Sequence, residues 1–292
     1  MNPIVRKVTF SPGKADESEF DREPEWLVAN GLGGYASGTV SGAGMRRNDG
    51  LLIAALPVPF GRVLMLNGLA EEFHLPDGRI VEVSAGQSQE RSASNTWPLS
   101  EFRLDMGLPI WRYQIDDVVL EKRLCLPYRQ NTVHTTYRLL SHSGKVGIRL
   151  RPLIQFREHE APVDHQPQAP YVLTVFEDQY EISSGIYPTL RLLLHGKGEF
   201  IIERKKIERL SYVLERTRGY TAVGDLWTPG SFAVDCSPGQ EITLAASTES
   251  WEVMRTLGPA EAWEAERERR THLIASADCK AQSGVVAELV LA

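Results

Sequence analysis

Within residues 25–56, EWLVANGLGGYASGTVSGAGMRRNDGLLIAAL, one aromatic ring and several planar polar groups stand close together: Asn30, Tyr35, Arg46, Arg47 and Asp49. Such a set can pack a ring on an apolar face and bond neighbouring polar groups in pairs. Trp227, in a stretch before Pro229 that reads as a loop, is a second aromatic candidate. Gly31, Gly33, Gly34, Gly38, Gly42 and Gly44 recur among Ser, Thr and Ala. Glycine at that density lets a backbone turn sharply or lets another surface approach closely. Gly31-Leu32-Gly33 leads into strand-forming residues, not a helix, so it is no dinucleotide fingerprint. No Gly-Lys-Ser/Thr follows, so it is no phosphate loop. A tight loop feeding an edge strand is the bland alternative, and residue types alone leave it open.

Other chemistries find little support. Glu25, Asp49, Glu71, Glu72 and Asp225 read as solvated groups or as partners of arginines. His134 reads as a partly exposed strand residue. His159 and His165 share a loop but lack a third ligand for zinc. Cys125, Cys236 and Cys279 are odd in number, widely spaced and without a Cys-x-x-Cys, which favours neither a disulfide framework nor a metal site. There is no Gly-x-Ser-x-Gly elbow. No metal and no cofactor is expected.

The elements that must carry these residues are mostly strands. Trp111, Tyr113 and Ile115 alternate with Arg112, Gln114 and Asp116. Val133, Thr135, Tyr137 and Leu139 alternate with His134, Thr136 and Arg138, and Val146, Ile148 and Leu150 with Gly147, Arg149 and Arg151. A period of two predicts one core face and one solvent face. Pro76-Asp77-Gly78, Ser141-His142-Ser143-Gly144 and Ser237-Pro238-Gly239 are turns between them, and Glu203-Arg204-Lys205-Lys206 reads as a solvated strand end. Many short strands without helices between them predict a mainly β chain, a large antiparallel β-sandwich of supersandwich type. Trp26, Trp97, Trp111 and Trp251 read as core or strand-surface residues. Residues 159–170 read as an irregular loop.

Near the C-terminus the pattern changes to a helix over Pro259–Ser276, with proline at its first position and a thin apolar stripe of Trp263, Arg267, Arg270 and Ile274. Residues 285–292 are apolar and fit either a chain leading to a further domain or a last strand closing a sheet. Residues 1–256 are thus expected to form the sandwich and 257–292 a helix and terminal segment. The 292 residues hold 32 Lys plus Arg against 38 Asp plus Glu, a net charge of −6 that argues against a phosphate-tracking nucleic-acid surface. There is no signal-peptide pattern and no stretch approaching a membrane span, so a cytoplasmic location is expected.

The order of the motifs carries a resemblance. Glu25-Trp26-Leu27, Asn30-Gly31-Leu32-Gly33-Gly34-Tyr35-Ala36, Gly38-Thr39, Arg46-Arg47 and Gly50-Leu51-Leu52 resemble the opening signature of the glycogen debranching enzyme N-terminal domain family. Three later stretches resemble its further landmarks in the same order. They are Arg151-Pro152-Leu153 with Phe156-Arg157, then Glu215-Arg216 with Arg218-Gly219-Tyr220, then Asp225-Leu226-Trp227 with Pro229-Gly230 and Phe232.

The resemblance implies a β-sandwich paired, in the full enzyme, with a C-terminal barrel of paired helices that holds the catalytic carboxylates. Such enzymes hydrolyse α-1,6-linked glucose at branch points. The implied partners are an α-glucan (glycogen or malto-oligosaccharide) and the helical barrel, and no catalytic residue is expected among these 292. An autonomous glucan-binding module and the β partner of a separate barrel chain are the alternatives. For sugar contact the chemistry selects Asn30, Tyr35, Arg46, Arg47, Asp49 and Trp227. Two departures stand out. Where the family usually has Arg-Arg-Tyr-His-Gly, this chain has Arg46-Arg47-Asn48-Asp49-Gly50. Where an acidic pair is common, it has Gly224-Asp225.

Overall fold

The computed structural model describes residues 5–9, 24–42, 46–83, 98–141 and 144–291. In chain order its strands are β1 Val5–Thr9, β2 Glu25–Ala29, β3 Tyr35–Thr39, β4 Gly50–Leu56, β5 Gly61–Leu66, β6 Gly68–His74, β7 Ile80–Val83, β8 Leu99–Asp105, β9 Leu108–Ile115 and β10 Val118–Cys125. They continue with β11 Thr132–Ser141, β12 Val146–Leu153, β13 Arg157–Glu158, β14 Val172–Phe176, β15 Gln179–Ser183, β16 Leu190–His195, β17 Gly198–Ser211, β18 Val223–Cys236 and β19 Glu241–Ser247. The helices are α1 Val213–Thr217, α2 Trp251–Thr256, α3 Pro259–Ser276 and α4 Gly284–Leu291.

The strands make three antiparallel sheets. Nine strands run in the order β1-β8-β9-β10-β11-β19-β16-β15-β14. Five run β17-β18-β12-β6-β7 and five β13-β5-β4-β3-β2. The expected β-sandwich is what forms, with 53% strand and 16% helix among the described residues. One apolar core joins all three sheets, drawing on Trp26, Leu52 and Met65, on Phe73, Leu150 and Phe232, and on Trp111, Tyr137 and Leu244. Trp26 and Trp111 meet edge to face at 5.2 Å, and the Trp111 indole donates to the Val40 carbonyl at 2.9 Å. The inter-sheet space also holds a polar link. Glu71 on β6, only 2% exposed, accepts from the Tyr137 hydroxyl and lies 2.6 Å from Lys122 Nζ. The sequence favoured solvent or an arginine for Glu71. Its partners are a lysine and a tyrosine because β10 and β11 of the facing sheet bring those residues inward.

The alternation on β11 breaks in one place. Val133 through Tyr137 are all buried, so His134 is no half-exposed strand residue. The cause is the helices. His134 sits in register with Cys125 and Ala245, on the same face. α2 covers that face through Met254 on Leu193 and Ala245, and α3 covers it next to Cys125 and through Trp263, whose ring lies 4.8 Å from the Arg123 guanidinium.

The helix α3 spans the predicted Pro259–Ser276. Glu261 reaches back to the Gly258 N–H at 2.9 Å, closing its first turn. Its apolar stripe is as thin as the sequence suggests, and much of its docking is ionic. Buried Glu266 holds Arg270 at 2.8 Å, and Arg270 donates to the Met106 carbonyl at 3.0 Å. The apolar segment that follows forms α4, not a closing strand. It packs Ala287 against Ile274 and Met106 and leaves Val285 and Leu289 in solvent.

The turn at Pro76-Asp77-Gly78 is as expected, with Gly78 N donating to Leu75 O at 3.0 Å. Glu203-Arg204-Lys205-Lys206 lies in the middle of β17, exposed, and not at a strand end. Trp97 and part of the Ser141–Gly144 turn, residues 142–143, lie outside the described residues.

Candidate functional site

The glycine-rich segment folds as β2, a tight turn, β3, a second turn and β4. Asn30 builds the first turn. Its Oδ1 accepts from the N–H groups of Leu32 and Gly34, each at 3.0 Å, while Nδ2 donates to Gln130 O at 2.9 Å and Asn131 Oδ1 at 3.1 Å. Gly31 sits at φ +75°, and a Cβ there would drive into the Tyr128 ring. Both roles of glycine foreseen in the sequence therefore apply. Asn30 is fully buried with its amide saturated, so it staples the loop and has no group left for sugar.

The second turn is built by Asp49. Its carboxylate accepts from Arg46 N–H and from Ser37 Oγ, both at 3.0 Å, and its own N–H donates to Arg46 O at 3.1 Å. The carboxylate introduced by the departure from the family pattern is thus engaged by the Arg46 backbone and the Ser37 hydroxyl. Arg46 points to Glu25 at 2.7 Å, a hydrogen bond that raises the guanidinium above its ordinary range.

The backbone of Arg47 is held from two directions. Its N–H donates to Glu215 Oε1 at 3.2 Å, and its carbonyl accepts from Arg157 Nη2. Both holding residues are buried charges: Glu215 is 2% exposed and Arg157 0%. Arg157 also donates to Gln155 Oε1 at 3.1 Å and Ala161 O at 2.6 Å, and burial pushes it below its ordinary range. The Arg47 guanidinium stays at the surface. It lies 3.3 Å from Glu160 Oε2, 3.9 Å from Glu215 Oε2 and 5.1 Å over the Tyr220 ring.

Tyr35 completes the wall. Its hydroxyl bonds the Asn48 carbonyl at 3.0 Å and His159 Nε2 at 2.8 Å, and His159 Nδ1 meets Glu160 Oε1 at 2.8 Å. Burial, with Asp49 adding, pushes the phenol up to about 12, so it stays neutral. Tyr220 is placed by the end of α1. Gly219 at φ +76° donates to Arg216 O at 3.1 Å, and Tyr220 N–H returns to Glu215 O at 3.0 Å. These are the two bonds of a Schellman motif, which folds the residue after the glycine back over the last helical turn.

Of the residues selected from sequence, Tyr35, Arg46, Arg47 and Asp49 come together. Trp227 does not join them. It lies in β18, not in a loop, with its backbone bridged to Ile154 by two bonds of 2.8 Å and its ring stacked on Tyr171 at 4.9 Å. Arg157, His159, Glu160, Glu215 and Tyr220 belong to the cluster and were missed as site residues. Arg157, Glu215 and Tyr220 fall within the quoted landmarks, but nothing in one sequence says that stretches more than a hundred residues apart meet. Among the described residues no group of three His, Cys, Asp or Glu side chains could hold a metal ion.

A family model described as "Glycogen debranching enzyme N terminal" matches residues 24–243, most of the chain. The chain belongs to this family. The match takes in every segment of the Arg47 cluster. No curated protein matches the chain. Among solved structures, a kojibiose phosphorylase from human microbiome aligns at a TM-score of 0.42 and 9% identity, covering 78% of this chain and 31% of that one. A bacterial glucoamylase complexed with acarbose aligns at 0.38 and 8%, covering 99% and 40%. The heparan sulfate lyase HepC from Pedobacter heparinus, a mutant, aligns at 0.31 and 10%, covering 52% and 22%. The chain spans less than half the length of each.

Proposed function

We propose that this family member serves as the non-catalytic N-terminal domain of a glycogen-debranching-type glycoside hydrolase and helps to shape its α-glucan site. The observation that carries the reading is convergence. Within the matched 24–243, two later landmark segments, distant from each other and from the first in sequence, fold onto one residue of the first, Arg47. Surface loops fixed by a rigid sandwich are suited to binding. The carboxylates there are engaged: Glu25 with Arg46, Asp49 with backbone, Glu160 with Arg47 and His159, and Glu215 with Arg47. That supports a binding surface over a pair of carboxyl groups free to flank a glycosidic bond. Hydrolysis of α-1,6 branch points is assigned to the helical barrel of the full enzyme, in the cytoplasm. The strip of Leu27, Val285 and Leu289, 59%, 72% and 69% exposed, supports contact with such a partner.

Calorimetric titration of the 292-residue chain with a branched malto-oligosaccharide tests the glucan part. Saturable heat is expected. Silence up to millimolar sugar would remove the glucan and leave a purely architectural domain.

A further inference from the structure

The Arg47 cluster spends buried charge on a single half-buried residue. Two ionised side chains in a protein interior are costly unless each is well partnered. Here Glu215 and Arg157 grip the N–H and the C=O of the same residue, from segments 168 and 110 positions away. A turn that needed only to be closed already has Asp49 for that purpose. The extra clamp fixes where the Arg47 side chain leaves the surface.

That side chain is loosely engaged. Its hydrogen bonds, 3.3 Å to the Glu160 carboxylate and 3.5 Å to the Glu160 backbone carbonyl, are near the outer limit, and that carboxylate, on a side chain 78% exposed, has a closer partner in His159 Nδ1 at 2.8 Å. Arg46 by contrast is bound at 2.7 Å. Tyr220 adds an aromatic face next to the guanidinium and keeps 57% of its surface exposed, although the Schellman motif fixes its backbone. Glu160 and Glu215, 3.3 and 3.9 Å from the Arg47 guanidinium, already offset its charge. Carboxylates so close to the donor disfavour an anionic ligand there.

The geometry points to a subsite for one neutral hexose unit, with Tyr220 as the stacking platform, the Arg47 guanidinium donating to adjacent hydroxyls, and Glu215 and Arg157 as positioning residues. This rests on the glucan reading above and names the residues that would do the binding. The aromatic ring takes the C–H face of the sugar, and the planar donor bonds two hydroxyl oxygens at once. Displacement of Glu160 accompanies binding.

The test is calorimetry on the full chain with a branched malto-oligosaccharide, comparing wild type with Tyr220→Ala, Arg47→Ala, Glu215→Gln and Glu215→Ala, each with its melting temperature. Tyr220→Ala, at an exposed position, keeps the wild-type melting temperature and weakens binding about tenfold. Arg47→Ala weakens it at least as much. Glu215→Gln keeps an acceptor for the Arg47 N–H and retains binding, whereas Glu215→Ala loses it. A merely structural Glu215 would lower melting temperature in both without restoring binding in the first. Wild-type binding left intact by Tyr220→Ala overturns the subsite and leaves the domain's proposed function standing. No wild-type binding removes the glucan reading and the subsite with it. Preference for glucose 6-phosphate over glucose overturns the neutral ligand.

Discussion

Arg157 shows how a single residue can decide a surface it does not reach. It is wholly buried, and its guanidinium ties together Gln155, Ala161 and Arg47. Arg157→Met keeps most of the volume but leaves those acceptors unpaired. We expect a loss of about 3 kcal/mol in urea unfolding, since orphaned buried polar groups cost far more than the bond itself returns. His134 makes a different test. Burial, with His195 adding, pushes its imidazole down to about 4 from an ordinary value near 6.5. The unfolded chain therefore binds more protons between those values. Stability is complete above about 6.5 and is lost as pH falls toward 4. From about pH 7 to about pH 5 this amounts to about 2 kcal/mol, and His134→Gln should flatten that part of the urea-midpoint profile. Burial pushes His195 down as well, so a shallower slope of the same sign remains in the variant.

At the level of elements, the loop 159–170 and β18 explain the second departure from the family pattern. Val163 is fully buried in a small cluster with Leu153, Leu210, Tyr212 and Leu226, and Gln155 holds its carbonyl at 2.9 Å. A Cβ on Gly224 would collide with that same carbonyl. No side chain fits, so the missing carboxylate is a consequence of how closely this loop lies on the strand. Gly224→Ala should cost about 2 kcal/mol by forcing the two apart. Gly219→Ala meets open space and carries only the left-handed strain, about 1 kcal/mol, in the same unfolding assay. The loop was legible in the sequence as irregular, from its prolines. That it is pinned was not, because its anchors, Gln155 and Arg157, lie on the segment before it.

For the whole molecule, the strand periodicity, the turn residues and the proline-led helix were enough to place the chain among β-sandwiches with a C-terminal helix. Alternation failed where a second layer covers the outer face, at His134. The cause, α2 and α3, lies more than a hundred residues downstream. The candidate site was half legible for a related reason. Tyr35, Arg46, Arg47 and Asp49 are near neighbours in sequence, while Arg157, Glu215 and Tyr220 reach them only through the three-sheet arrangement. Asn30 and Asp49 were read as ligand groups from their type, and the same polarity that suggested this is what lets them close turns. Trp227 looked like a loop aromatic because Pro229-Gly230 follows it, yet β18 runs straight through both.

The clamp on Arg47 also supplies a clock. Its amide hydrogen points at a carboxylate shielded from water and rooted 168 residues further along the chain. Exchange with deuterium at that one position requires the α1 segment to lift off the β3–β4 turn. Its rate therefore reports how often the separate stretches of the sandwich part company. A slow Arg47 amide, matched by the amides of β12, would mean that the surface opens only when the whole sandwich does.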